Sequence, residues 1–140
     1  MSLHKFSHAK ELINVAEKIG VKVNVLTGDA AEKYIFFILK KYKPWKQKGH
    51  LSIGDNVSRL STDENEFTFS LLMKPLPALL FFEQDSINKD TVIIIDNARE
   101  ISALMRNSHG MEYFVSDEYG TYLIAVNWYS IEFIGDVLIK

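Results

Sequence analysis

The feature that most restricts the fold is a series of three apolar segments near the C-terminus, separated by short polar turns. The segments are Met111–Ser116, Thr121–Asn127 and Ile131–Ile134. Consecutive strands with such short connections pair antiparallel, because a parallel crossover needs about a dozen residues or more. The pattern therefore predicts an antiparallel meander in the last third of the chain.

Three helices are predicted elsewhere from apolar residues at helical spacing. Residues that favour helix starts are Ser7, Asp29 (with Glu32) and Asn97 (with Glu100), and residues that favour helix ends are Gly20, Pro44 and Gly110. The second helix, from Ala30 to about Tyr42, is apolar on every side of its centre, Ile35–Leu39. It is therefore predicted to be buried on most of its faces.

The other apolar stretches predict strands. They are Val21–Val25, Phe67–Leu71, Ala78–Phe82 and Val92–Ile95. Residues 49–65, which are rich in Gly, Ser, Asp and Asn, are predicted to be a long connection that contains one short strand. The expected fold is a single α+β domain over residues 1–140. It has a mostly antiparallel sheet of about five to six strands and three helices packed mainly on one side.

The composition favours one folded domain and removes several kinds of chemistry. The chain has 140 residues, 47% of them apolar, so it can bury an ordinary core and is not expected to be disordered. It has no cysteine, which excludes disulfides, thiolate catalysis and thiolate zinc sites. Its four histidines are scattered, and it has no glycine-rich phosphate loop. The sequence therefore predicts neither a cofactor nor a metal site.

The distribution of apolar residues predicts a cytoplasmic protein with no membrane segment. Met1–Ser7 does not contain the apolar core of a signal peptide. The longest apolar run, Tyr34–Leu39, has six residues, whereas a membrane-spanning helix needs about 20. The absence of cysteine also favours a reducing compartment.

The net charge of −2 conceals a large difference between the two halves of the chain. Residues 1–60 contain 11 Lys and Arg against 5 Asp and Glu, a charge of +6, whereas residues 61–140 contain 5 against 13, a charge of −8. We expect the acidic half to attract a cationic partner and the basic half to lie away from it.

One stretch of the basic half has the composition of a nucleic-acid site. Its lysines are Lys40, Lys41, Lys43, Lys46 and Lys48, and the aromatic residues between them are Tyr42 and Trp45. Lysines neutralise phosphates and aromatic rings stack on bases. The alternative is a solvated helix end, where lysines complement the helix dipole. The alternative is favoured because the whole chain is acidic and the stretch contains no arginine.

The candidate partner-binding residues lie in the acidic half, in predicted loops and turns. They are Asp63, Glu64, Glu66, Asp117, Glu118, Tyr119, Trp128 and Tyr129. Carboxylates in loops can contact a basic protein, and an exposed Trp–Tyr pair is typical of protein interfaces. The alternatives are ordinary polar loops and, for the aromatic pair, a cluster that covers the end of the sheet.

The segment from Val92 to Asp136 combines a strand, a helix, an aromatic strand, an acidic turn, an aliphatic strand and the polar–aromatic turn Trp128-Tyr129. In this order it resembles the C-terminal part of SUKH-like bacterial immunity proteins and related small bacterial families. Trp128-Tyr129 stands where some of those proteins have a two-histidine turn. The resemblance covers about a third of the chain.

The resemblance implies a stoichiometric binding protein rather than an enzyme. An immunity protein covers the active site or an essential surface of its toxin, and an acidic surface suits a basic toxin domain. Two other functions stay open, namely nucleic-acid binding through the lysine stretch and an enzyme with a pocket that the sequence does not reveal. An exposed edge among the last strands would allow two copies to form a homodimer.

Overall fold

The computed structural model describes residues 7–47, 50–53, 57–82, 89–108 and 110–136. Its helices are α1 (His8–Ile19), α2 (Gly28–Tyr42), α3 (Thr62–Asn65) and α4 (Ile101–Arg106), with 3₁₀ turns at Phe69–Leu72 and Ala98–Glu100. Its strands are β1 (Val23–Thr27), β2 (Trp45–Gln47), β3 (His50–Ser52), β4 (Ser58–Ser61), β5 (Ala78–Phe81), β6 (Thr91–Ile95), β7 (Tyr113–Ser116), β8 (Tyr122–Val126) and β9 (Ser130–Gly135). These elements confirm the predicted α+β class.

In the described chain, seven strands form one antiparallel sheet in the order β1-β6-β5-β7-β8-β9-β4. The last three strands form the predicted meander, since β8 pairs with β7 on one side and with β9 on the other. β4 is added beside β9 and β1 beside β6, so both outer strands come from the first half of the chain. The sheet has one strand more than the upper number predicted, and β2 and β3 form a separate hairpin.

The edges of the sheet decide whether its last strands could pair two copies. Within the described residues, the edges are β1 and β4. β9 is covered because β4 pairs with it from Ser58 opposite Phe133 to Ser61 opposite Ser130. The prediction of an exposed edge among the last strands is therefore wrong.

Side chains of the sheet alternate between two apolar clusters, one on each face. In β5, Leu80 faces the cluster formed with α1 and α4, whereas Leu79 and Phe81 face the cluster formed with α2. α1 and α4 thus share one face, as predicted for most of the helices. α2 covers the opposite face together with the chain around β3, where Leu51 and Ile53 are buried.

The two ends of α1 follow directly from its sequence. The Ser7 hydroxyl accepts a hydrogen bond from the backbone N–H of Lys10 at 3.2 Å, which satisfies one donor of the first turn. Gly20 ends the helix with φ of +79°, a conformation that glycine adopts without a steric penalty. Both boundaries confirm the prediction.

α2 differs from its prediction in its cap and in its burial. It begins at Gly28 with Thr27 as the capping residue and no side-chain cap bond, so the capping box expected at Asp29 does not form. Ala31, Ile35 and Ile38, spaced on one side of the helix, are its buried residues. The expectation of burial on most faces is wrong, because Phe36 and Phe37 are 65% and 43% exposed.

Residues 57–72 contain more regular structure than predicted, and part of it is of another type. The predicted connection, residues 49–65, was expected to contain one short strand, but its described part contains β3, β4 and α3. Phe67–Leu71 does not form the predicted strand. In a strand, Phe67, Phe69 and Leu71 would share one face, but here Phe69 is buried whereas Phe67 and Leu71 are exposed. A 3₁₀ turn forms there instead, in which Ser70 exchanges hydrogen bonds with Ser102 of α4: Ser102 N–H to Ser70 Oγ at 2.9 Å and Ser70 N–H to Ser102 Oγ at 3.2 Å.

Tyr113 in β7 places a hydroxyl inside the apolar core. The side chain is fully buried, and its hydroxyl has no hydrogen-bond partner among the described residues. Burial, with the charge of Glu66 as a smaller cause, raises the pKa of Tyr113 well above its usual value. Tyr113→Phe is therefore expected to leave the free energy of unfolding unchanged or to raise it by about 1 kcal/mol, measured by urea denaturation.

Tyr34→Phe is the matched control, because the Tyr34 hydroxyl donates to the Asp117 carbonyl oxygen at 2.7 Å. The free energy of unfolding of that variant should fall by about 1 kcal/mol. Equal losses in the two variants would contradict the prediction for Tyr113.

Candidate partner-binding surfaces

The turn between β8 and β9 lies directly beside α3. The backbone N–H of Thr62 donates to the Tyr129 carbonyl oxygen at 3.2 Å, and the Thr62 hydroxyl donates to the Asn127 carbonyl oxygen at 2.8 Å. Thr62 is the first residue of α3, so these bonds bring the next two residues, Asp63 and Glu64, close to the turn. Predicted site residues that are far apart in the sequence thus meet at one end of the sheet.

A network around Asn127 holds the backbone of this turn. The Asn127 amide oxygen accepts hydrogen bonds from the backbone N–H groups of Tyr129 and Ser130, both at 2.8 Å. Its amide nitrogen donates to the Leu51 carbonyl oxygen at 2.8 Å, and Asn127 itself is buried. With the backbone fixed, Trp128 and Tyr129 point outward and are 52% and 71% exposed. Both side chains are therefore accessible to a partner, while the alternative that they cover the end of the sheet stays open.

We call this region the acidic aromatic surface and define it by Asp63, Glu64, Glu66, Trp128 and Tyr129. Asp63 and Glu64 are exposed, and Glu66 is partly buried. Burial raises the pKa of the Glu66 carboxyl above its usual value. Two exposed aromatic rings beside carboxylates can contact the apolar and cationic parts of a protein partner.

The other three candidates of the acidic half lie at the opposite end of β8. Asp117, Glu118 and Tyr119 belong to the β7–β8 hairpin. β8 has five residues, which is roughly 17 Å of extended chain. The Asp117 carboxylate accepts a hydrogen bond from the Thr121 backbone N–H at 2.8 Å and another from the Thr121 hydroxyl, so it stabilises the hairpin. The predicted set of eight residues is therefore divided between two ends of the sheet.

The C-terminal half of α2 packs on this hairpin. The Tyr42 hydroxyl and the Lys41 ammonium both donate to the Gly120 carbonyl oxygen at 2.6 Å. The basic and acidic halves of the chain are thus in contact here. Where the basic half lies relative to a cationic partner stays a prediction.

The structure divides the lysine stretch into residues with different surroundings. The Lys41 ammonium is used in the hairpin contact, whereas the Lys40 ammonium lies over the Phe36 ring, 5.9 Å from its centroid. Lys43 is exposed and ends α2. The side chains of Trp45 and Lys46, and the whole of Lys48, lie outside the described residues. Nucleic-acid binding through this stretch stays a prediction.

Sequence patterns did not single out Glu132, whose carboxylate is buried under the β2–β3 hairpin. Glu132 is 2% exposed and accepts hydrogen bonds from Ile53 N–H at 2.7 Å, Ser52 Oγ at 2.9 Å and Arg59 Nε at 3.4 Å. Its neighbours along β9 are apolar, so alternation alone predicts a solvent-facing side chain. Only the position of β3 over the sheet shows that this carboxylate holds the chain from 50 to 53 in place.

No protein-family model, curated protein or solved structure matches this chain. In the described part of the chain, no helix is long and apolar enough to cross a membrane. No group of three or more His, Asp or Glu side chains among the described residues is arranged to hold a metal ion. The geometry of the surfaces therefore carries the functional argument.

Proposed function

We propose that this protein is a non-enzymatic binding module of the immunity type, which neutralises a basic toxin in the cytoplasm by stoichiometric binding. The acidic aromatic surface is the observation that carries the proposal. It joins two exposed aromatic side chains, on a turn held by hydrogen bonds to the buried Asn127, to exposed carboxylates. The resemblance of residues 92–136 to SUKH-like immunity proteins agrees with this function.

Each part of the surface has a distinct physical role in such binding. Trp and Tyr bury a large area on association and are enriched among the residues that dominate binding energy. Because Asn127 already fixes the backbone of the turn, association costs little backbone entropy there, and only the side chains of Trp128 and Tyr129 remain to be ordered. Asp63 and Glu64 would accelerate the approach of a cationic partner and make the association rate depend on salt.

The proposal is tested first with the product of the gene adjacent to the one that encodes this protein. We expect the two proteins to co-purify as a stoichiometric complex, and we expect co-expression to relieve growth inhibition by the neighbour. A neighbour whose toxicity is unchanged and that forms no complex would contradict the immunity function.

Tyr129→Ala tests the surface within that complex. Because truncation of a central aromatic residue commonly costs about 2 kcal/mol or more, we expect the dissociation constant to rise about 30-fold, measured by calorimetry. Tyr119→Ala is the matched control, since Tyr119 is 72% exposed and Tyr129 71% exposed, at opposite ends of β8. A larger loss of affinity with Tyr119→Ala than with Tyr129→Ala would place the interface at the hairpin instead.

A further inference from the structure

A cavity of about 540 Å³ lies at the end of the sheet opposite the acidic aromatic surface. One wall is the segment Leu72–Pro77 together with Ala98 and Arg99, and the other wall includes Asp117, Tyr122 and Asp136. Sites for small organic ligands typically have volumes of about 300–1,000 Å³. The cavity therefore has room for a small molecule with an apolar part and several polar groups.

Charges of opposite sign line the two walls. Lys74 and Arg99 belong to the first wall, and Asp117 and Asp136 to the second. Within the described residues, none of these cations forms an ion pair with these carboxylates. Opposite charges that are held apart across a cavity can be bridged by a ligand that carries both a carboxylate and an ammonium group.

Hydrogen bonds hold the first wall in position without a ligand. Arg99 Nε donates to the Met73 carbonyl oxygen at 2.6 Å, and the Ala98 N–H donates to the Leu76 carbonyl oxygen at 2.9 Å. The prolines on either side of Leu76 restrict the backbone further. Arg99, which lines the cavity, is thus held to the segment that forms the rest of this wall.

The second wall is fixed by the hairpin. The Asp136 N–H donates to the Thr121 carbonyl oxygen at 2.9 Å, and the Asp117 carboxylate accepts from the Thr121 N–H at 2.8 Å. Tyr122, which is 7% exposed, also lines the cavity. Burial, and to a smaller extent the charge of Asp117, raise the pKa of Tyr122 above its usual value.

Apolar surface lies between the charged groups. Leu72 and Leu76 line the cavity and are 50% and 57% exposed, so both present apolar surface there. A ligand that covers them would remove apolar surface from water.

We propose that this cavity binds an apolar amino acid or a short apolar peptide with free termini. Its carboxylate lies toward Lys74 and Arg99, its ammonium group toward Asp117 and Asp136, and its aliphatic side chains against Leu72 and Leu76. The site is independent of the proposed toxin-binding function, because it lies at the other end of the sheet.

Titration of the ¹⁵N-labelled protein with leucine, Leu-Leu, N-acetyl-Leu-Leu and Leu-Leu-amide tests this site by backbone NMR shifts. At least one of the two free zwitterions should cause saturable shifts at Thr121, Tyr122 and Asp136, with a dissociation constant of about 1 mM or lower. Blocking either terminus should weaken binding at least about tenfold. Which of leucine and Leu-Leu binds more tightly distinguishes a free amino acid from a peptide.

Variants on both walls give the control. Lys74→Gln and Asp136→Asn change exposed groups of the cavity. Each should raise the dissociation constant of the zwitterionic ligand about tenfold or more. Glu64→Gln, at the opposite end of the sheet, should leave the titration unchanged. No saturable shift with leucine or Leu-Leu up to ~10 mM, equal binding of the blocked and free forms, or an equal effect of Glu64→Gln overturns the proposal.

Discussion

Gly135→Ala is expected to destabilise the protein by about 3 kcal/mol or more. Gly135 in β9 has φ of +96°, which a residue with a side chain adopts only with strain. An added Cβ would lie 2.5 Å from the Thr121 carbonyl oxygen and 2.8 Å from the Tyr122 Cα. Both atoms belong to the backbone of the paired strand region, so the clash cannot be relieved by rotation of a side chain.

Gly28→Ala is the matched control for this substitution. Gly28 also has a positive φ, +62°, but an added Cβ would have no atom within 4 Å. The free energy of unfolding of Gly28→Ala should therefore fall only by the cost of backbone strain, about 1–2 kcal/mol. Urea denaturation of both variants measures the difference. Equal losses would show that β8 and β9 adjust to the extra methyl group at no cost.

Glu132→Ala is the second substitution with a large expected effect, about 3 kcal/mol. It leaves the Ile53 N–H and the Ser52 hydroxyl without their acceptor in this buried region, and it removes one ion-pair partner of Arg59. We expect the loss to be concentrated in the chain near β3. Amide hydrogen exchange at Leu51 and Ile53 should accelerate more than exchange in β7 and β8.

Glu118→Gln provides the comparison for Glu132, because Glu118 is an exposed carboxylate on the β7–β8 hairpin. Its stability should change by less than about 0.5 kcal/mol. The loss of stability in Glu132→Gln should lie between those of Glu132→Ala and Glu118→Gln. The amide keeps one acceptor oxygen but presents a donor where the carboxylate has a second acceptor. If amide hydrogen exchange at Ile53 is unchanged in Glu132→Ala, this carboxylate does not hold the chain near β3 in place.

Local sequence patterns predicted the elements whose stability is decided locally. Ser7 and Gly20 bound α1 as expected, and short turns gave the β7–β8–β9 meander. The alternation of Phe67, Phe69 and Leu71 was misleading, because the bonds between Ser70 and Ser102 of a distant helix favour a 3₁₀ turn. Side-chain alternation predicts a strand only where another strand is available to pair with it.

The place of Trp128 and Tyr129 in a predicted turn left their exposure undecided, and the sequence did not identify their neighbours. Asp63 and Glu64 reach them through the pairing of β4 with β9, which joins segments far apart in the sequence. The burial of Glu132 could not be predicted from local sequence either, because it depends on where β3 lies over the sheet. Charge totals for each half of the chain could not reveal that Lys41 meets the acidic hairpin.

The order of strands also constrains how this chain folds during synthesis. β1 and β4 leave the ribosome first, yet they occupy the two edges of a sheet whose inner strands, from β5 to β9, are translated later. Until β6 and β9 have emerged, the two early strands cannot form their native pairs. The nascent N-terminal half therefore carries these two strands unpaired until the later strands follow, and contacts between such distant segments favour slow folding.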